Sequence, residues 1–270
     1  MARISKAVTK LHNEAVELVN ADRALTLDER ELVLEQWNPM AEHNVGWNAA
    51  FFTPSTIARD VQIMSMDKKS MRILDLCAGI GRLAFEAWRR RAMWDPVPES
   101  LSEIVCIEFN PEFVRVGKRI LPEATWIQAD VFDKSTYRNL GKFDEVISNP
   151  PYGLNGRANE NGKKSNWLYS GPSQYQAAQV AMMLASDGVF VLAQGDCPFQ
   201  YSGNNRGPVY VKNEKYEKFS EKTGVVFKMN CGIDTSYAEW NGIGNGMRFE
   251  IVVVEKTEPK GQITMFGGEI

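Results

Sequence analysis

The sequence predicts an α/β fold: a doubly wound, mostly parallel sheet of seven strands whose last strand runs antiparallel, preceded by a short helical segment. Three observations carry that expectation. Between residues 72 and 193, short apolar runs alternate with stretches of helical periodicity, and Gly, Pro, Asp or Asn punctuates the runs. Strand–helix–strand units of this kind pack their helices on both faces of a parallel sheet. Further on, the runs 225–229 and 249–255 have no helical stretch between them, as an antiparallel pair at one end of the sheet requires. Finally, 270 residues with 44% hydrophobic and 24% charged side chains have globular composition and length for one large domain or two small ones.

Residues 6–19 space their apolar side chains as one face of a helix. Thr26, with Asp28 and Glu29 behind it and Leu32, Leu34 and Trp37 beyond, reads as the cap of a second helix. After Asn38-Pro39 and a turn at Gly46, Pro54 with Ser55 starts a third. We place a boundary near residue 48, which gives an N-terminal helical segment (1–48), a main domain (49–258) and a flexible tail (259–270). In the main domain, strands are expected at 72–77, 104–108, 125–129, 143–148 and 189–193, with helices at 81–91, 112–120 and 174–184. Two polar stretches, 153–172 and 200–222, read as long loops, either insertions or surfaces that meet substrate. Trp88, Trp94 and Trp126 read as packing side chains.

Composition excludes several functions. Thirty-one basic against 34 acidic residues leave a formal charge of −3, so a polyanion would meet a limited basic face and not the whole surface. The four cysteines (Cys77, Cys106, Cys197, Cys231) are far apart, which suits reduced thiols and not a disulfide frame or a zinc site. His12 and His43 are the two histidines and neither is near a cysteine, which leaves a histidine metal site or a serine triad almost nothing to work with. With no apolar run of about 18 residues and no secretory N-terminus, the expected address is the cytoplasm.

The chemistry concentrates at strand ends. Asp75-Leu76-Cys77-Ala78-Gly79-Ile80-Gly81 puts an acid at the end of the first strand and two glycines in the turn after it, where backbone can approach a bound cofactor closely. Glu108 ends the second strand, where a carboxylate can accept both hydroxyls of a ribose. No phosphate-binding Lys follows the glycines, and Leu83 and Ala84 stand where a dinucleotide fingerprint has its third glycine. A nucleoside cofactor without a pyrophosphate fits best. The fourth strand ends in Asn149-Pro150-Pro151-Tyr152. Two prolines fix an extended turn and expose the Pro150 carbonyl, Asn149 adds a side-chain acceptor, and Tyr152 places a ring beside both. Two converging acceptors suit the two hydrogens of a planar NH2 group, with the ring stacked on the group's carrier.

The series Phe51-Phe52-Thr53-Pro54, Asp75 to Gly81, Glu108, Asp130 and Asn149-Pro150-Pro151-Tyr152 resembles, in type and order, the motifs of S-adenosylmethionine-dependent N6-adenine DNA methyltransferases of the gamma class. The resemblance spans residues 50–195. It implies a class I (Rossmann-like) methyltransferase fold, S-adenosylmethionine as cofactor and an adenine of DNA, flipped out of the duplex, as target. By the same resemblance Phe52, Thr53 and Pro54 wrap the methionine end of the cofactor, and Asp75 holds its amino group through water. Cys77, Ala78, Gly79 and Gly81 line the cofactor and Glu108 binds the ribose. Phe109, Asp130 and Val131 enclose the cofactor adenine. Asn149 and the Pro150 carbonyl then hold the target amine for an in-line displacement, with Pro151 and Tyr152 completing the pocket.

A second aromatic face is expected from Phe199 or Tyr201. Sequence reading is expected from Arg157, Lys163, Lys164, Trp167 and Tyr169 in the first polar stretch and from Tyr201, Arg206, Tyr210, Lys212 and Lys215 in the second. An Asn-Pro-Pro-Tyr element also occurs in enzymes that methylate RNA adenine or protein glutamine, so both stay open, as does a subunit that needs a specificity partner. In the tail, Gln262-Ile263-Thr264-Met265-Phe266 resembles the peptide by which bacterial proteins dock on the DNA polymerase sliding clamp.

Overall fold

Along each central strand, neighbouring residues are buried on opposite faces of one sheet: Ile73 joins one hydrophobic cluster and Leu74 the other, as do Cys106 and Val105, Ile147 and Val146, Val191 and Leu192. This double burial accounts for strands that are continuously apolar and not alternating. The computed structural model describes residues 5–38, 51–64, 72–94, 103–153, 167–240 and 247–257.

Strands β1 (Ile73–Leu76), β2 (Ile104–Glu108), β3 (Thr125–Gln128), β4 (Glu145–Ser148) and β5 (Asp187–Ala193) are mutually parallel. Of the later strands, β8 (Val225–Met229) and β9 (Phe249–Lys256) complete a seven-stranded sheet in the order β3-β2-β1-β4-β5-β9-β8, with β9 antiparallel to both of its neighbours. The chain reverses its winding direction between β1 and β4, which opens a crevice at their C-terminal ends.

One face is covered by α3 (Ser55–Ile63), α4 (Arg82–Trp94) and α5 (Pro111–Ile120), the other by α6 (Ser173–Leu184) and α7 (Glu214–Thr223). The two N-terminal helices, α1 (Lys6–Asn20) and α2 (Leu27–Gln36), do not form a core of their own. Ala15, Val19, Val33, Leu34 and Trp37 belong to the same cluster as α3, α4 and α5. Thr26 caps α2 with a full capping box through Glu29. Arg119 of α5 donates to the carbonyls of Val19 and Ala21 at the end of α1, and Arg82 and Arg89 of α4 pair with Glu35 and Glu31 of α2. The boundary expected near residue 48 lies outside the described residues.

One expectation fails: residues 200–222 are not a long loop. A two-residue hairpin, β6 (Phe199–Gln200) with β7 (Val209–Tyr210), leads into α7. Asn213 caps that helix at Tyr216 N, Gly224 ends it in the left-handed region, and Phe219 anchors it in the core. Among the described residues no helix is long and apolar enough to cross a membrane.

Candidate active site

Parallel register sets the C-terminal ends of β1, β2 and β4 side by side, with Asp75 opposite Cys106 and Ile147. The chain leaves β1 through Cys77, Gly79 and Gly81, all at positive φ (68°, 58° and 89°). For Cys77 that conformation costs about 1–2 kcal/mol, so the fold holds the loop against a local preference. Ala78 N donates to Ile107 O (3.0 Å) and Gly79 N to Glu108 Oε2 (2.9 Å), which ties the loop to the end of β2. The second Glu108 oxygen accepts from Asn110 N at 2.8 Å. Two backbone amides thus orient this carboxylate.

Close approach explains both loop glycines. A Cβ on Gly79 would lie 3.2 Å from the Phe52 ring, and one on Gly81 would lie 2.9 Å from the Trp126 indole. Phe52 packs edge-on against Phe113 of α5, at 5.2 Å between centroids. Asp75 is only 1% exposed. Its Oδ2 accepts from Ala84 N at the start of α4 (2.9 Å), while Oδ1 is buried without a hydrogen-bond partner. Desolvation, opposed by the Ala84 amide and reinforced by the Glu108 charge, pushes this carboxyl up to about 7. Around the end of β3, Asp130 Oδ1 accepts from Phe132 N (2.9 Å) and Val131 is buried. Phe109, just past β2, is 49% exposed.

At the end of β4, the Asn149 amide nitrogen donates to Phe51 O and to Thr53 Oγ1, both at 3.0 Å. Its oxygen lies 2.7 Å from the Tyr152 hydroxyl, which is also 2.9 Å from Val191 O. Gly153 N donates to Gln174 Oε1 (3.1 Å), which fastens the far end of the loop to α6. Pro150 is buried and Pro151 exposed.

The Tyr152 ring, expected to stack on the target, is half-buried and packs 5.6 Å from Phe249, which in turn stacks on Trp240 at 4.1 Å. Its hydroxyl, in this apolar setting, is held by protein acceptors. Burial also pushes its pKa well up. Phe199 was expected to offer a second aromatic face, yet it is 0% exposed, within the cluster under α6 and α7. Tyr201 is half-buried and donates from its hydroxyl to Gly232 O (3.0 Å). The exposed ring of that hairpin is Tyr210, 75% exposed, with Arg206 and Lys212 exposed near it in sequence.

Arg157, Lys163 and Lys164 lie outside the described residues, as do Gln262, Met265 and Phe266 of the tail. Trp167, at the edge of the first polar stretch, donates from Nε1 to Phe132 O (3.2 Å), beside the end of β3. Sequence reasoning missed Glu250. This fully buried carboxylate on β9 accepts from the amides of Tyr201 and Ser202, from Ser202 Oγ and from Gln194 Nε2, all within 2.7–2.9 Å. A buried acid is invisible in sequence when the donors that satisfy it lie about 50 residues away.

Sheet order, the glycine loop after β1 and the acid after β2 define a class I S-adenosylmethionine-dependent methyltransferase fold. A Listeria monocytogenes protein assigned to that class matches 95% of this chain and 90% of its own (TM-score 0.56, 13% identity). A modification subunit assigned to a type I restriction enzyme of Vibrio vulnificus matches 89% of this chain (TM-score 0.58, 14% identity). The methyltransferase subunit of a type I restriction-modification system from Streptococcus thermophilus matches 85% (TM-score 0.51, 16% identity). The match takes in 52% and 50% of those two subunits, so this chain spans about half their length. A comparison with curated proteins gives no match. The N-6 DNA methylase family model matches residues 27–187, from the start of α2 to the start of β5. The chain belongs to the N-6 DNA methylase family, and methyl transfer is its class of reaction.

Proposed function

We propose that this chain is a gamma-class enzyme that transfers a methyl group from S-adenosylmethionine to the N6 amine of adenine in DNA. S-adenosylmethionine supplies an electrophilic methyl group on a positively charged sulfur. The residues fit it. Asp75 Oδ1 is a buried acceptor without a donor, suited to an ammonium group directly or through water. Glu108, held by two backbone amides, is oriented to accept ribose hydroxyls. Phe109 offers an exposed ring to an adenine, with Asp130 and Val131 beside it, and Phe52 backs Gly79.

The observation that carries the reading is the position of Asn149. It follows β4, adjacent in the sheet to β1 and its cofactor loop, and its amide is already oriented by three atoms of the chain. An amide oxygen has two lone pairs, so Oδ1 can accept from Tyr152 and from a target amine together. The Pro150 carbonyl accepts the other amine hydrogen, which raises electron density on the nitrogen. No side-chain base is needed, since the nitrogen loses its proton after transfer.

Tyr210, Arg206 and Lys212 form the basic and aromatic face for DNA in this reading. A specificity subunit, and a sliding clamp engaged through Gln262, Met265 and Phe266, belong to the same proposal as the means by which an acidic chain holds DNA.

The test is labelled methyl transfer to duplex DNA, RNA and cell protein in parallel, with digestion to nucleosides. N6-methyladenine in DNA alone, reduced by about 10²–10³ in Asn149→Ala, is the expected result. Label confined to RNA or protein overturns the DNA assignment, and no label in any arm refutes activity of this chain by itself.

A further inference from the structure

Asn149 is useful to an amine only if its oxygen, not its nitrogen, faces the target. A primary amide is nearly symmetric in shape, so something must decide which end points where. Phe51 O is a carbonyl and can only accept, so the Asn149 atom 3.0 Å from it is the nitrogen. Thr53 Oγ1, also at 3.0 Å, takes the second amide hydrogen. The single hydrogen of the Tyr152 hydroxyl is shared between the Asn149 oxygen at 2.7 Å and Val191 O at 2.9 Å. With both hydrogens spent on the 51–53 segment, Asn149 has only acceptor capacity left for a ligand.

We propose that Thr53 is a positioning and specificity-determining residue: with the Phe51 carbonyl setting which end of the Asn149 amide is the nitrogen, the Thr53 hydroxyl takes the second amide hydrogen and holds the amide in that direction, so that the pocket accepts an NH2 donor and rejects a carbonyl. This rests on the reading of Asn149 as the acceptor for the target amine. It gives the Phe52-Thr53-Pro54 element a role apart from wrapping the cofactor, because Thr53 is 5% exposed and reaches across 96 residues of sequence to the base-holding loop. Were the amide to turn over, its NH2 would oppose the hydrogens of an amine and would pair instead with a carbonyl such as that of guanine or thymine. The segment therefore couples the two halves of the site, with its outer side against the glycine loop and its inner side holding the residue that chooses the target.

The experiment compares Thr53→Val, which keeps the shape and loses the acceptor, with Thr53→Ser, which keeps the hydroxyl. The first readout is independent of turnover: solvent exchange of the Asn149 side-chain NH2 by NMR, its signals identified by their loss in Asn149→Asp. Exchange about tenfold faster in Thr53→Val and restored in Thr53→Ser is expected, as for loss of one buried hydrogen bond. The second is kinetic: Thr53→Val lowers kcat about tenfold while S-adenosylmethionine affinity stays within about twofold, and Thr53→Ser recovers kcat. Unchanged exchange, or a loss of cofactor affinity that accounts for the whole kinetic effect, overturns the proposal. If the wild-type protein methylates no adenine, the functional reading falls by itself, and the exchange measurement still decides whether Thr53 holds Asn149.

Discussion

Gly117→Ala tests whether the cofactor loop is braced from behind. A Cβ at residue 117 would stand 2.1, 2.4 and 2.5 Å from three atoms of the Trp126 ring, where carbon atoms ordinarily rest about 3.5–4.0 Å apart. Ala is the better helix residue by about 1 kcal/mol, so propensity alone predicts stabilisation. The overlap reverses the sign. The same ring edge already abuts Gly81, which leaves the indole little room to shift, and overpacking of this kind costs about 1–3 kcal/mol. If the indole leaves its place it also forfeits the Nε1 bond to Leu121 O at 3.0 Å, worth about 0.5–1.5 kcal/mol. Net of the propensity gain, the expected loss is about 1–3 kcal/mol, or several degrees at about 2–4 °C per kcal/mol. Urea unfolding followed by circular dichroism reads the stability, and a titration with S-adenosylmethionine reads the loop, whose affinity should fall with it. An alanine variant as stable as the wild type refutes the argument, and Trp126→Leu in the Gly117→Ala background should return part of the loss.

Two further outcomes follow from the site. The Asp75 carboxyl, raised from 3.8 to about 7 in the folded chain, binds a proton there that the unfolded chain has already lost. Stability of the cofactor-free protein therefore falls as pH rises from about 4 through 7; thermal unfolding across that range checks the slope, which Asp75→Asn should flatten. On the hairpin, Phe199→Ala should cost about 3–5 kcal/mol as a core truncation. Tyr210→Ala should leave stability alone and weaken DNA binding, with about 1–3 kcal/mol expected for a lost stacking ring. Equal effects of the two on either measurement would contradict the burial assigned to them.

The seven sheet strands were legible because each is a short apolar run between turn residues, and the structure moves their ends by no more than a residue or two. What eluded the sequence was order created by few apolar side chains. Helix α7 has its start and stop in plain view, Asn213 and Gly224, yet its buried face rests on Phe219 with Tyr216 half-buried beside it. Two rings on a helix of Glu, Lys and Ser do not make a stripe. Phe199 and Tyr201 fell to the opposite problem: in a strand of two residues, alternation is too brief to say which ring faces inward. The turns after β1 and β4 were marked in the sequence by Gly79, Gly81 and Asn149-Pro150-Pro151-Tyr152. The direction in which Asn149 and Tyr152 point depends on Phe51, Thr53 and Val191, and pairings at separations of 98, 96 and 39 residues leave no local trace.

Strand β9 also sets a timetable for synthesis. Every partner of β8 in the sheet is supplied by β9, and Glu250, the acid that gathers Gln194, Tyr201 and Ser202, sits on β9 as well. While the ribosome is still adding residues before 249, the parallel half from β3 to β5 can already pair, with α1 to α6 available to cover it. The outer strand has no seat and the β6–β7 hairpin has no anchor. Non-local pairings of this kind form late. A nascent chain would thus assemble the parallel half with its glycine loop first and the β8–β9 edge last, only once residues 249–256 have emerged.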